Sequence, residues 1–249
     1  MDRLIYTAMS GAKALLDRQS SVANNLANVN STGFRAETMA FRVAPVVPAK
    51  PGEGQMTRYM SVESTPGFDQ TPGPVQTTAR DLDAAINGPG WFAVQADDGT
   101  EAYTRDGHFE VNEAGLLVTS NGRAVIGEGG PINVPADNSV SIGADGTITA
   151  FPPDQKNSTI QVGRLKLVNP DAKSLVKGLD GLVRTRDGSD AEVDPTVRVA
   201  GGSLEGSNVN PVEAMVSMIA LARQFDTQMQ MIKTAETNGQ ASTKLLTDS

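Results

Sequence analysis

The sequence predicts an α+β chain: two long terminal helices paired in coiled-coil fashion, with an extended linker and an antiparallel β domain inserted between them. Three observations predict it. Apolar residues alternate at three- and four-residue spacing near both ends of the 249-residue chain. A proline-rich stretch follows the first of these segments. The middle is a series of short β-type runs punctuated by Asn-Gly and Asp-Gly pairs. The expected division is 1–44 with 205–249 as a terminal-helix domain, 45–80 as linker and 81–204 as the β domain.

Residues 1–30 read as a helix. Ile5, Met9, Ala12, Leu16, Gln19, Ala23 and Leu26 fall at 4-3-4-3-4-3 spacing, one stripe with a single polar break at Gln19. "NVNSTGF" closes it, with Gly33 suited to the left-handed conformation that ends many helices. From Gln19 to Phe34 no residue is charged, yet asparagine stands at 24, 25, 28 and 30. A solvated helix face normally carries more charge. Neutral amides can bond across a helix interface without the desolvation cost of an ion. Asn24, Asn25 and Asn28 are therefore expected where helices crowd together.

The segment 45–74 holds prolines at 45, 48, 51, 66, 72 and 74, which forbids a regular element through it and predicts an extended linker. From 81 to 200 come "WFAVQA", "LLVTS", "AVIG", "SVSIG", "TITAF", "RLKLV" and "TVRVA". Asx-Gly pairs at 87–88, 98–99, 106–107, 121–122, 145–146, 180–181 and 187–188 supply the positive φ of tight hairpin turns. Residues 210–246 then read as a second helix, with Asn210 as N-cap, Pro211 at the first helical position and Glu213 three residues after the cap. Met215, Met218, Ala222, Phe225, Met229 and Ile232 repeat at 3-4-3-4-3 spacing. Two such stripes carry more apolar surface than one seam hides, so the remainder is expected to meet other chains. The methionines suit packing against unlike neighbours.

Composition excludes several classes. A formal charge of −8 repels nucleic acid and anionic lipid. With no cysteine there is no disulfide, thiolate metal site or cysteine nucleophile. No stretch approaches the ~18 apolar residues of a membrane span, and the N-terminus lacks the pattern of a removable signal peptide. His108, in "TRDGHFE", has no nucleophile signature beside it and reads as a turn-flanking surface residue. Asp81 and Asp83 are an ordinary carboxylate pair, "ADDGTE" and "SIGADGT" lack the alternating acids of a calcium loop, and "GEGGP" lacks the Lys-Ser/Thr of a phosphate loop. No catalytic residue, metal or cofactor is expected. Trp91, Phe92, Tyr103 and Phe109 read as core. The terminal segments are weakly complementary in charge: residues 1–35 hold four basic and two acidic side chains (+2), residues 205–249 three and five (−2).

"NNLANVNSTGFR", "GWFAV", "YTRDGHFEVNEAGLLVTSNGRAVIGEGGPI" and "GSLEGSNVNPVEAMVSMIALARQFDTQMQMIKTAE" resemble the bacterial flagellar rod and hook family over nearly the whole chain. The resemblance implies a structural role without enzymatic activity, as a rod subunit, with a distal-rod or hook-type axial protein of the same family as the alternative and a β-domain polymer-binding module behind it. Family members pair their terminal helices as an inner domain, stack helically into a tube, and carry the β domain outside. The rod transmits torque across the periplasm, and its bore passes later subunits outward. The implied partners are copies of the chain, neighbouring proximal-rod and distal-rod subunits, and the flagellar type III export apparatus in transit, without signal cleavage. The positions matching family motifs that would carry assembly are Asn24, Asn25, Leu26, Asn28, Gly33, Phe34, Leu204, Glu205, Asn208, Pro211, Glu213 and Met215. The stripe residues Ile5, Met9, Ala12, Leu16, Ala23, Met218, Ala222, Phe225, Met229 and Ile232 join them on spacing.

Overall fold

A computed structural model describes residues 2–45, 59–63, 67–135, 138–152 and 159–247. The chain forms two compact units. Unit 1 comprises 1–27, 37–67 and 210–249; unit 2 comprises 28–36 and 68–209. Residues 28–36 and 205–209, expected with the terminal helices, thus belong to the β unit.

Unit 1 is built on helix α1 (Asp2–Ala27) and helix α2 (Pro211–Thr247), which pack together. Asn210 caps α2: its Oδ1 accepts from Val212 N at 3.0 Å and Glu213 N at 3.3 Å. α1 stops at Ala27, earlier than expected, in a turn where Ser31 N donates to Asn28 O at 3.1 Å. Gly33 does have φ +64°, but six residues beyond the helix, so it serves a chain crossing in unit 2 rather than a helix cap. The supposed linker contains regular structure. Tyr59–Glu63 pairs antiparallel with Phe41–Pro45, with Pro45 at the strand's end, and Val75–Thr77 pairs with Ser203–Glu205. Proline bars continuity of a strand, and short pieces between prolines remain free to pair. The prolines at 48, 51 and 66 lie outside the described residues.

Unit 2 is antiparallel β, as expected. Its central sheet has five strands: β1 (Trp91–Gln95), β2 (Glu101–Thr104), β3 (Leu167–Val168), β4 (Leu175–Lys177) and β5 (Val183–Thr185), in the order β3-β1-β2-β5-β4. A three-stranded meander of Ser139–Ile142, Thr147–Phe151 and Ile160–Arg164 and several two-stranded pairs surround it. "WFAV" in β1 is buried on both faces. Phe92 and Val94 enter the main core with Phe109, Leu117, Val125, Ile148 and Leu165, while Trp91 and Ala93 face a second cluster with Tyr103, Val168 and Val183. The Phe92 and Phe109 rings meet edge to face with centroids 5.3 Å apart. All four candidate core aromatics are buried.

Six of the seven Asx-Gly glycines adopt the expected positive φ, and Gly107 is the exception. Its backbone packs flat against Ala84: a Cβ there would lie 1.6 Å from Ala84 O. That glycine is required by space.

The turn aspartates also tie pH to stability. Hydrogen bonds from the Thr100, Thr147 and Thr196 side chains hold the Asp98, Asp145 and Asp194 carboxyls below their ordinary range, Arg184 does so for Asp180, and the Ser189 backbone for Asp187. A carboxyl with a depressed folded pKa stabilises the fold above its unfolded pKa, and that contribution disappears as pH falls through the folded value. Urea midpoints read from the single tryptophan, Trp91, are therefore expected to stay level at about pH 5–8 on this account and to fall below about pH 4. A midpoint unchanged at about pH 3 would contradict it.

Candidate assembly surface

Both helices present two neighbouring apolar rows, and the pair covers one of them on each helix. On α1 the covered row is Ile5, Ala8, Ala12, Leu15, Gln19, Val22 and Leu26. On α2 it is Ala214, Met218, Leu221, Phe225, Gln228, Ile232 and Ala235, at 4-3-4-3-4-3 spacing. Ala8, Ala12, Ala214, Leu221 and Ala235 are buried. A Cβ on Gly11 would sit 3.6 Å from the Gln228 side chain, an ordinary contact distance. Gly11, Ala14, Leu15 and Arg18 face Gln224, Thr227 and Gln228 across an open groove.

The sequence stripes therefore coincide with the seam at every second position only. Ile5, Ala12, Gln19, Leu26, Met218, Phe225 and Ile232 lie in it. Met9, Leu16, Ala23, Met215 and Met229 are exposed one residue away from it, and Ala222 is half-buried. A 3-4 template cannot separate two adjacent apolar rows, because both satisfy it. Three further apolar residues that the template missed, Val212, Val216 and Ile219, also stand outward. Their i, i+4, i+7 spacing was the available signal. With Tyr6 and Met231, nine large apolar side chains on the two helices are 46–68% exposed. Scattered exposed leucines are ordinary on proteins, whereas rows of them mark a contact surface.

The amides are used differently from the expectation. Asn25 Oδ1 accepts from Glu37 N at 2.7 Å and its Nδ2 donates to Glu37 O at 2.9 Å, pairing with backbone of its own chain as a strand would. Asn28 Oδ1 accepts from Ser31 Oγ at 3.1 Å in the turn after α1. Asn24 is exposed, as are Pro211 and Glu213.

Asn28, Gly33, Phe34, Leu204, Glu205 and Asn208 lie in unit 2. Asn208 Oδ1 accepts from Ala36 N at 2.7 Å, and its Nδ2 donates to Asp69 O at 3.1 Å and Thr71 O at 3.0 Å. Phe34 is half-buried with Lys177 Nζ 4.0 Å from its ring centroid, and half-buried Leu204 pairs with Gln76. Glu205, named with the assembly positions, is 1% exposed and forms ion pairs with Arg35 and Arg105, both at 2.8 Å. It is an interior ion, and sequence reading gave its two partners no role. Burial lowers both guanidinium pKa values and the Glu205 charge opposes that shift.

His108 is no isolated surface residue. Its Nδ1 lies 2.9 Å from Oδ1 of buried Asp83, the same oxygen that accepts from Arg80 Nη1 at 3.0 Å. Asp83 Oδ2 accepts from Thr78 Oγ1 at 2.6 Å, so the hydroxyl is bonded to the carboxylate. Asp81 is exposed and does not share the site. No helix among the described residues is long and apolar enough to cross a membrane.

Three family models match the chain. Residues 5–35 match "Flagella basal body rod protein", residues 85–150 "Flagellar hook protein FlgE/F/G D1 domain" and residues 200–245 "Flagellar basal body rod FlgEFG protein C-terminal". The chain is 46% identical to the flagellar basal-body rod protein FlgF of Salmonella typhimurium over 253 residues, covering 99% of each. It is 35% identical to FlgF of Caulobacter vibrioides, covering 98% of each. It is 31% identical to the rod protein FlgG of Buchnera aphidicola, covering 93% of this chain and 95% of the relative. The outward apolar rows thus lie on helices within the two terminal matches, and the chain belongs to the flagellar basal-body rod protein family.

Proposed function

We propose that the chain is a structural subunit of the proximal flagellar rod, assembling helically through its terminal helices into the torque-transmitting shaft whose bore is an export channel. The observation that carries this reading is the set of nine half-exposed apolar side chains on α1 and α2, left over after the two helices have covered each other. A subunit with unlike sticky rows on different sides makes heterologous contacts, which propagate instead of closing at a dimer. Full burial of a large apolar side chain is worth about 1.5–3 kcal/mol, so covering each of these half-exposed ones contributes about half of that, and several per subunit give a stiff shaft. The α1–α2 seam is a short coiled coil in this reading, with knobs from one helix seated between residues of the other. Exposed Met9, Leu16, Met215 and Met229 meet copies of the chain and neighbouring rod subunits. The finished structure spans the periplasm, reached through the flagellar export apparatus without a cleaved signal.

The experiment is to delete the gene, restore it in trans, and purify basal bodies. The reading expects non-motile cells that regain motility on complementation, with the chain recovered in the rod fraction. Normal swimming of the deletion strain, or basal bodies free of this chain, would reject it.

A further inference from the structure

Unit 2 seals three charges in its interior. The side chains of Arg35, Arg105 and Glu205 are 2%, 4% and 1% exposed. Glu205 Oε1 lies 2.8 Å from Arg35 Nη2 and accepts from Gly73 N at 2.9 Å, and its Oε2 accepts from Arg105 Nη1 at 2.8 Å. Arg35 Nη1 donates to Thr71 O, and Arg105 Nη2 to Gly88 O at 2.7 Å. Both guanidinium groups lie over the Trp91 ring. Such a buried triad is weak evidence for stability, because apolar residues of similar shape often replace one without loss. Its geometry suggests another use.

The chain passes between the two units at four places: after residues 27, 36, 67 and 209. Force carried along the chain from one unit to the other crosses those four peptide connections. Three of them, after residues 36, 67 and 209, lie at the end of or one residue from the segments that the knot gathers, 33–36, 69–75 and 203–208. Glu205 O accepts from Gly33 N at 2.8 Å while its carboxylate holds Arg35 and Gly73. Asn208 ties Ala36, Asp69 and Thr71 beside it. The crossings are tight: a Cβ on Gly73 would lie 2.1 Å from Gly206 O, and one on Gly33 2.2 Å from the carbonyl carbon of Arg105.

We propose that Glu205 is the positioning residue of a mechanical clamp, which pins the chain segments running to and from both terminal helices onto the β sheet of the free subunit. Neutralising the carboxylate leaves two buried guanidinium groups without a counter-charge and releases three segments at once. The ladder between the sheet strands β1 and β2 does not use the carboxylate, although Trp91 at the start of β1 lies beneath both guanidinium groups. The clamp rests on the geometry of unit 2 and not on the rod assignment, so it is tested on the isolated full-length chain without assembly.

Hydrogen exchange of the wild-type chain should show residues 31–36, 69–75 and 203–209 protected together with β1 and β2. In Glu205→Gln those three segments should exchange at least about tenfold faster, with β1 and β2 changed by less than about twofold. Arg35→Gln should release 31–36 and 69–75 while 203–209 stays held through Arg105. Unchanged segments in Glu205→Gln would overturn the clamp. So would equal loss of protection in β1 and β2, aggregation of Glu205→Gln, or uniform loss across unit 2 in Arg35→Gln, because each makes the triad ordinary core.

Discussion

Gly107→Ala is expected to leave unit 2 largely unfolded at room temperature. The new methyl would occupy a point 1.6 Å from Ala84 O, 2.8 Å from Ala84 C and 3.2 Å from a ring carbon of Phe92. None of these can retreat. Ala84 is fully buried, pairs with Gly201 and donates its N–H to Gly107 O at 3.0 Å, so moving it breaks a strand pair as well as that bond. Phe92 is fully buried against Phe109. Steric overlap of this depth belongs to the rare substitutions that cost more than about 4–5 kcal/mol. Against a total of about 5–15 kcal/mol for a domain, most of the stability disappears. Gly99→Ala is the control: Gly99 also looks like a turn glycine, has φ +82° and open space around its missing Cβ, so only the backbone cost of about 1–2 kcal/mol applies. Urea unfolding followed by Trp91 fluorescence should separate the two clearly. Equal midpoints for Gly107→Ala and wild type would mean that the Ala84 contact is not rigid.

That contrast shows what the sequence can express. Asp106-Gly107 and Asp98-Gly99 are the same dipeptide, and local turn chemistry treats them alike. Only Gly99 obeys it, because the demand on Gly107 comes from Ala84, a residue 23 positions earlier. The same limit applies to the charged knot. Arg35 and Glu205 are 170 residues apart, and no spacing rule connects them. What was legible is local: the N-cap at Asn210, the apolar run that buries β1 on two faces, and the glycines that turn hairpins. The helix faces sit between these cases. Their period was readable, but the choice between Ala8 and Met9, or Ala214 and Met215, depends on how closely two helix axes approach. At these two positions the alanine lies in the seam and the methionine beside it is left outside, whereas Met218 lies in the seam, so side-chain type alone does not decide it.

The second large effect is therefore on assembly and not on folding. The double substitution Val216→Lys with Ile219→Glu is expected to abolish motility while leaving the monomer as stable as wild type. Val216 and Ile219 are 61% and 56% exposed on the outer side of α2, so their removal uncovers little of the subunit's own core. The replacements also fit the helix. A lysine in place of Val216 would follow Glu213 at i+3, and a glutamate in place of Ile219 would precede Arg223 at i+4. Each of these opposite-charge pairs adds about 0.2–0.5 kcal/mol. Both replacements are better helix formers than the β-branched residues they displace. In a helical polymer, however, each subunit would bury two charges at a surface built for apolar contact, and that penalty recurs at every copy. Swim-plate diameter, thermal midpoint and basal-body content of the variant measure the three consequences separately. Wild-type swimming would remove this row of α2 from the assembly surface. A lowered thermal midpoint would show instead that Val216 and Ile219 already have a covered partner within the free subunit. Leu221→Glu makes the complementary case, because Leu221 is 4% exposed in the α1–α2 seam and the introduced charge should destabilise unit 1 before assembly begins.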